Sequence, residues 1–113
     1  MNEETVLLFT RNGLGDAAEE LQQMLTGKFL SLLLESGHMP AKILFYTEGV
    51  KLACKGSSVI ESLKKLETGG VELILCKTCL DFFKLGDQVE VGIVGSMADI
   101  IEAMQHAQKV ISL

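Results

Sequence analysis

Five short apolar runs, each separated from the next by a longer segment, constrain the fold of this chain more than any other feature. Three of the intervening segments carry helical periodicity. A parallel strand needs a crossover long enough to hold a helix, so this alternation marks βαβ units and a parallel sheet. The expected strands lie at about Thr5–Thr10, Lys42–Tyr46, Val71–Leu75, Val89–Val94 and Val110–Leu113. A first helix is predicted from about Asp16 to Ser36, with Leu21, Met24, Leu25, Leu32 and Leu33 near one face and Gly37 as its stop. A second, about Ser58–Thr68, turns Val59, Ile60, Leu63 and Leu66 inward, with Ser57 or Ser58 as cap and Glu61 in capping-box position. The last, about Met97–Ala107, aligns Met97, Ile100, Ile101 and Met104 behind a Ser96 cap, with Asp99 at the third helical position. With 113 residues, 48% of them hydrophobic, the chain can build one core and not two. One domain over residues 1–113 is expected, a three-layer α/β/α sandwich around a five-stranded parallel sheet.

Charge narrows the partners. A net charge of −5 does not suit a phosphate-binding surface, so no nucleic-acid partner is expected. The acidic start Met1-Asn2-Glu3-Glu4 lacks a signal-peptide pattern, and no uncharged run reaches membrane-spanning length. A cytoplasmic protein without membrane association is the expectation. Three cysteines, an odd number, suit thiols in a reducing compartment better than a disulfide framework.

An open parallel sheet places its ligand crevice beyond the carboxyl ends of the strands. On that rim fall Arg11–Asp16, Thr47–Lys51, Cys76–Asp81 and Gly95-Ser96, whereas His38 and His106 fall on the opposite rim, away from any cysteine. A Cys-His nucleophilic pair within one subunit is therefore not expected.

The third strand empties into Cys76-Lys77-Thr78-Cys79-Leu80-Asp81. Here Thr78 can cap a short helix, Asp81 can reach back to the cap amide, and Cys79 becomes the first helical residue. Helix amides and the Lys77 ammonium favour a thiolate, but the spacing does not decide between Cys76 and Cys79. Small buried hydrophobic cysteines are the bland alternative. Cys-x-x-Cys is also half of a zinc site, yet Cys54 and the two histidines have no matching spacing, so neither metal nor cofactor is expected. Thioredoxin-type pairs follow the first strand of their motif rather than the third. Gly13 and Gly15, with Asn12, can let an anion approach the first helix, although a tight strand-to-helix turn explains them better. Lys51 completes the anion- or substrate-binding candidates, alongside Lys77 and Thr78. Cys54 sits in a stretch that can form a helical turn with Leu52 inward. Phe82-Phe83 reads as core or subunit interface.

Taken together, Gly13-x-Gly15-Asp16, Gly49-Val50-Lys51-Leu52, Cys76-x-Thr78-Cys79-Leu80-Asp81-Phe82 and Val91-Gly92 followed by Ser96-Met97 resemble the DsrE-like sulfur-relay family over nearly the whole chain. The resemblance is nearest to the DsrE-type C-terminal domain of YedF-like proteins, which are described as sulfurtransferase-like selenium metabolism proteins. It implies a DsrEFH-like fold, a homo-oligomer, and a cysteine after the third strand that holds sulfane sulfur as a persulfide. Cys76 is similar in position to that cysteine, and Cys79 to the second cysteine of YedF-like chains. The usual Cys-Gly-Thr-Cys has Lys77 in place of its glycine. The TusA-like domain that YedF-like proteins also carry is not among these 113 residues.

The expected function is then a sulfur carrier or sulfurtransferase-like protein, loaded by a donor protein and emptied by an acceptor. A non-enzymatic oligomeric binding or regulatory module with structural cysteines is the alternative. So is a Cys76/Cys79 dithiol redox switch.

Overall fold

The structure, a computed structural model, describes residues 1–2 and 4–113. Five strands, β1 (Thr5–Phe9), β2 (Lys42–Phe45), β3 (Glu72–Cys76), β4 (Ile93–Gly95) and β5 (Lys109–Ser112), form one sheet in the order β4-β3-β2-β1-β5. All pairings are parallel. Between the strands lie α1 (Glu19–Ser36), a 3₁₀ segment (Thr47–Ala53), α2 (Ile60–Thr68), α3 (Lys77–Phe82) and α4 (Met97–His106).

Topology fixes the layers. The steps β1 to β2 and β2 to β3 run the same way across the sheet, so right-handed crossovers put α1 and α2 on one face, where they touch. The return from β4 to β5 reverses direction and puts α4 on the other face, against β3 and β4. The registers Phe9↔Phe45 and Phe45↔Leu75 set three fully buried side chains in one row at the carboxyl end of the central strands. The two rings in that row stack at 5.8 Å between centroids. Apolar burial on the order of 1.5–3 kcal/mol per large side chain makes this row the anchor of the site rim above it.

Several boundaries differ from the sequence expectation. The fourth strand is not Val89–Val94 but Ile93–Gly95, because Gly92 takes a left-handed φ of 85° and ends regular pairing before it. Residues ahead of it instead clasp the 3₁₀ segment. The Lys55 N–H donates to the Gln88 carbonyl, that of Glu90 donates to Ala53, and Cys54 bridges Val89 antiparallel.

Of the stripe expected to bury α1 only Leu33 is buried. Leu21, Met24, Leu25 and Leu32 are exposed, and Leu33 packs inward together with Gln22, Thr26 and Leu30. Thr26 makes its burial tolerable by donating its hydroxyl to the Gln22 carbonyl at 2.7 Å. In α4, likewise, Ile100 and Ala103 are buried while Met97 and Ile101 are exposed. The Ser96–Asp99 capping box of that helix forms as expected. The α2 cap does not, since Val59 holds the cap position and Ser57 only accepts the Val59 N–H, at 3.3 Å.

Candidate functional site

At the carboxyl edge the chain leaves β2 through a strained residue. Thr47 has φ of 49°, an unusual value for a β-branched side chain that costs on the order of 1–3 kcal/mol. Its hydroxyl is bonded to the carbonyls of Thr10 and Tyr46, which ties the exit of β2 to the exit of β1. Close packing reinforces the tie, because a Cβ on Gly49 would stand 2.0 Å from the Phe9 carbonyl oxygen. Only glycine lets the 3₁₀ segment settle on the end of β1.

The product of this geometry is a directed donor. The Thr47 N–H points at Cys79 Sγ, 3.0 Å away. Cys79 is half-buried on α3, and Cys76, which caps that helix, is fully buried at the end of β3. Burial pushes the Cys79 thiol above its ordinary value, the Thr47 amide pulls it back, and a hydrogen bond and charge repulsion with Cys76 push it up further. Cys76 and Cys79 stand three residues apart at the start of α3, with Cys79 the more exposed.

The helix does not begin where the sequence suggested. Cys76, not Thr78, is the cap residue, and Thr78 is an exposed residue inside α3. Asp81 does not reach back to a cap amide; it accepts from Lys77 Nζ at 2.7 Å, four residues earlier on an exposed face. Lys77 is therefore engaged by a carboxylate, and the donor at the thiol is the Thr47 amide. Thr47 lay within the expected rim, but nothing in its side chain signalled a left-handed backbone.

The glycine loop answers to packing. A Cβ on Gly13, whose φ is 149°, would lie 2.4 Å from Gln22 Cβ, so the loop rests against α1. The Leu14 N–H donates to the Gln22 carbonyl, and Gln22 Nε2 donates to the Gly15 carbonyl. At the start of α1, Glu19 and Glu20 supply negative charge, and Asn12 Nδ2 donates to Glu19 Oε1 at 3.0 Å. That end repels an anion instead of cradling one. Asn12 and Lys51 do come together, as two of the residues lining a cavity of about 470 Å³. Lys51 Nζ lies 4.6 Å over the Phe83 ring and 3.4 Å from Glu48.

Cys54 is a different kind of thiol. It is buried, donates its S–H to the Val50 carbonyl at 3.2 Å, and is pushed up by burial and by the charge of Glu90. Both histidines sit outside this rim, one after α1 and the other ending α4.

The sequence model of the DsrE/DsrF-like family matches residues 4–113. The chain belongs to the DsrE/DsrF-like family. No curated protein matches its sequence. Among solved structures, YchN protein from E. coli superposes with a TM-score of 0.72 at 15% identity, covering 100% of both chains. MTH1491 from Methanobacterium thermoautotrophicum, described as a protein of unknown function, gives 0.72 at 17% identity over 99% of this chain and 100% of its own. BT1422 from Bacteroides thetaiotaomicron, a conserved protein of unknown function, gives 0.67 at 16% identity over 97% and 95%. At such identities the likeness is one of fold, and the five-stranded parallel α/β architecture is that of these DsrE-like structures. Among the described residues, no helix is long and apolar enough to cross a membrane.

Proposed function

We propose that the protein carries sulfane sulfur as a persulfide on its Cys76–Cys79 pair, with Cys79 the loaded residue. The observation that carries this reading is the Thr47 N–H held 3.0 Å from Cys79 Sγ on the one half-buried thiol of the site. An amide donor stabilises sulfur anion without requiring a histidine. Membership of the DsrE/DsrF-like family supports the sulfur-relay setting.

In loading, the Cys79 thiolate attacks the terminal sulfur of a donor persulfide R–S–SH. The new bond forms as the donor S–S bond breaks, and RS⁻ leaves, giving Cys79–S–SH. An acceptor thiolate R′S⁻ then takes the same terminal sulfur and returns Cys79 as thiolate. If no acceptor arrives, the Cys76 thiolate attacks the inner sulfur, expels HS⁻ and leaves a Cys76–Cys79 disulfide, which a dithiol reductant reopens. This places Cys76 as the resolving thiol, whereas the family alignment by itself favoured it as the carrier.

The same reading includes self-association in the cytoplasm, with sulfur donors and acceptors as the other partners. Support comes from Leu21, Met24, Leu25 and Leu32, which make one exposed stripe along α1 at helical spacing. Light scattering is expected to report an oligomer that the double variant Leu25→Glu, Leu32→Glu converts to monomer. A monomeric native protein contradicts the assembly. The carrier itself is tested by incubating the reduced protein with polysulfide and locating reductant-sensitive sulfur on individual cysteines by mass spectrometry.

A further inference from the structure

The cavity of about 470 Å³ falls within the roughly 300–1,000 Å³ of small-molecule sites, and its lining has two electrostatic poles. One is a carboxylate already set in place. Glu19 Oε1 accepts from Asn12 Nδ2 at 3.0 Å and from Gln23 Nε2 at 3.3 Å, while its second oxygen has no hydrogen bond among the described residues. The other is cationic, formed by Lys51 and Lys55 in a chain whose net charge is −5. Lys51 is shared with Glu48 and the Phe83 ring, but Lys55 is in no ion pair among the described residues, and its backbone is pinned to Gln88. Phe83, Leu85 and Cys54 add apolar lining.

This cavity lies next to the thiol site. Phe83 follows Cys79 by four residues and donates its N–H to the Cys79 carbonyl at 3.0 Å, so the two side chains share one face, a helical turn apart. Lys51 belongs to the same 3₁₀ segment that begins with Thr47.

We infer that the cavity binds the body of a small zwitterionic thiol, between an amino acid and a tripeptide in size, whose persulfide is the sulfur donor to Cys79. Its carboxylate is held by Lys55 and Lys51, its ammonium by Glu19, and its sulfur extends toward α3. The inference rests on the carrier reading of Cys79 and adds the class of donor, a low-molecular-weight persulfide instead of a protein. A half-open, two-pole cavity of this size suits such a molecule, since a protein donor is recognised by a broader surface.

S-methylglutathione is a suitable probe, because this thioether cannot exchange sulfur. Titrated into the full ¹⁵N-labelled chain, it should give saturable amide shifts at Gly56, Ser57 and Phe83. Lys55→Glu should weaken binding at least about fivefold and Glu19→Gln about threefold, both with an otherwise native spectrum. No saturable shift below about 10 mM, shifts centred on another face, or undiminished binding by Lys55→Glu overturns the inference. Polysulfide loading of Cys79, measured on the same samples, separates the two claims. Loading without S-methylglutathione binding removes the donor pocket and keeps the carrier, while binding without loading keeps the pocket and removes the carrier.

Discussion

Cys54 and Cys79 are both thiols raised by burial, yet the chain around them treats their sulfurs in opposite ways. At Cys54 the sulfur gives its proton to the Val50 carbonyl, and the neighbouring charge, Glu90, is negative. At Cys79 the sulfur receives a proton donor, the Thr47 amide, and it reaches the surface. The first contact stabilises the S–H form, and the second favours the S⁻ form against the burial that raises the thiol overall. Burial alone thus does not separate a structural cysteine from a reactive one, whereas the direction of the hydrogen bond does.

The largest expected effect follows from exchanging each sulfur for oxygen. Cys79→Ser should abolish persulfide loading, whereas Cys54→Ser should leave the single-turnover loading rate within about twofold, followed by intact mass. Equal loss in both would erase the distinction. Alkylation by iodoacetamide comes next. The Cys79 rate should climb about tenfold per pH unit through neutrality and keep rising above the ordinary thiol value of 9.0, because its pKa is raised. Cys54 should stay unmodified until the protein unfolds.

Stability supplies a smaller contrast. Cys54→Ala should cost about 1 kcal/mol in urea unfolding through the lost buried sulfur, and Cys79→Ala less than about 0.5 kcal/mol. Both thiols hold their protons more tightly folded than unfolded. Their contribution is therefore complete below pH 9.0 and is lost as pH rises from that value through the raised folded values. The smallest effect belongs to Lys77→Ala. Its ion pair with Asp81 is exposed, so stability should change by less than about 0.5 kcal/mol and loading by less than about twofold. A loading loss near that of Cys79→Ser would restore Lys77 as the anion stabiliser.

The strand-and-helix alternation made the parallel sheet legible, because a period of two and a period of 3.6 leave different traces in the apolar residues. The rim loops followed from topology alone, which is why Thr47, Lys51, Cys76 and Cys79 were all expected at one edge. Which face of α1 is buried did not follow. That helix carries two stripes, and the more apolar one, through Leu21, Met24, Leu25 and Leu32, is the exposed one. Periodicity cannot distinguish a core from a partner's surface. The start of α3 was misplaced because Thr78 looks like a cap by residue type, although β3 runs on to Cys76 and leaves that cysteine in the cap position. The Thr47 donor was illegible for a different reason. Its left-handed backbone is imposed by tertiary bonds to Thr10 and by the approach of Gly49 to Phe9, and no local propensity encodes either.

The direct test is site-resolved mass spectrometry of the native protein after loading with polysulfide. One added sulfur is expected on Cys79, removed by reductant, with Cys54 unmodified. Sulfur on Cys54, or none on the Cys76–Cys79 pair, would contradict the carrier reading.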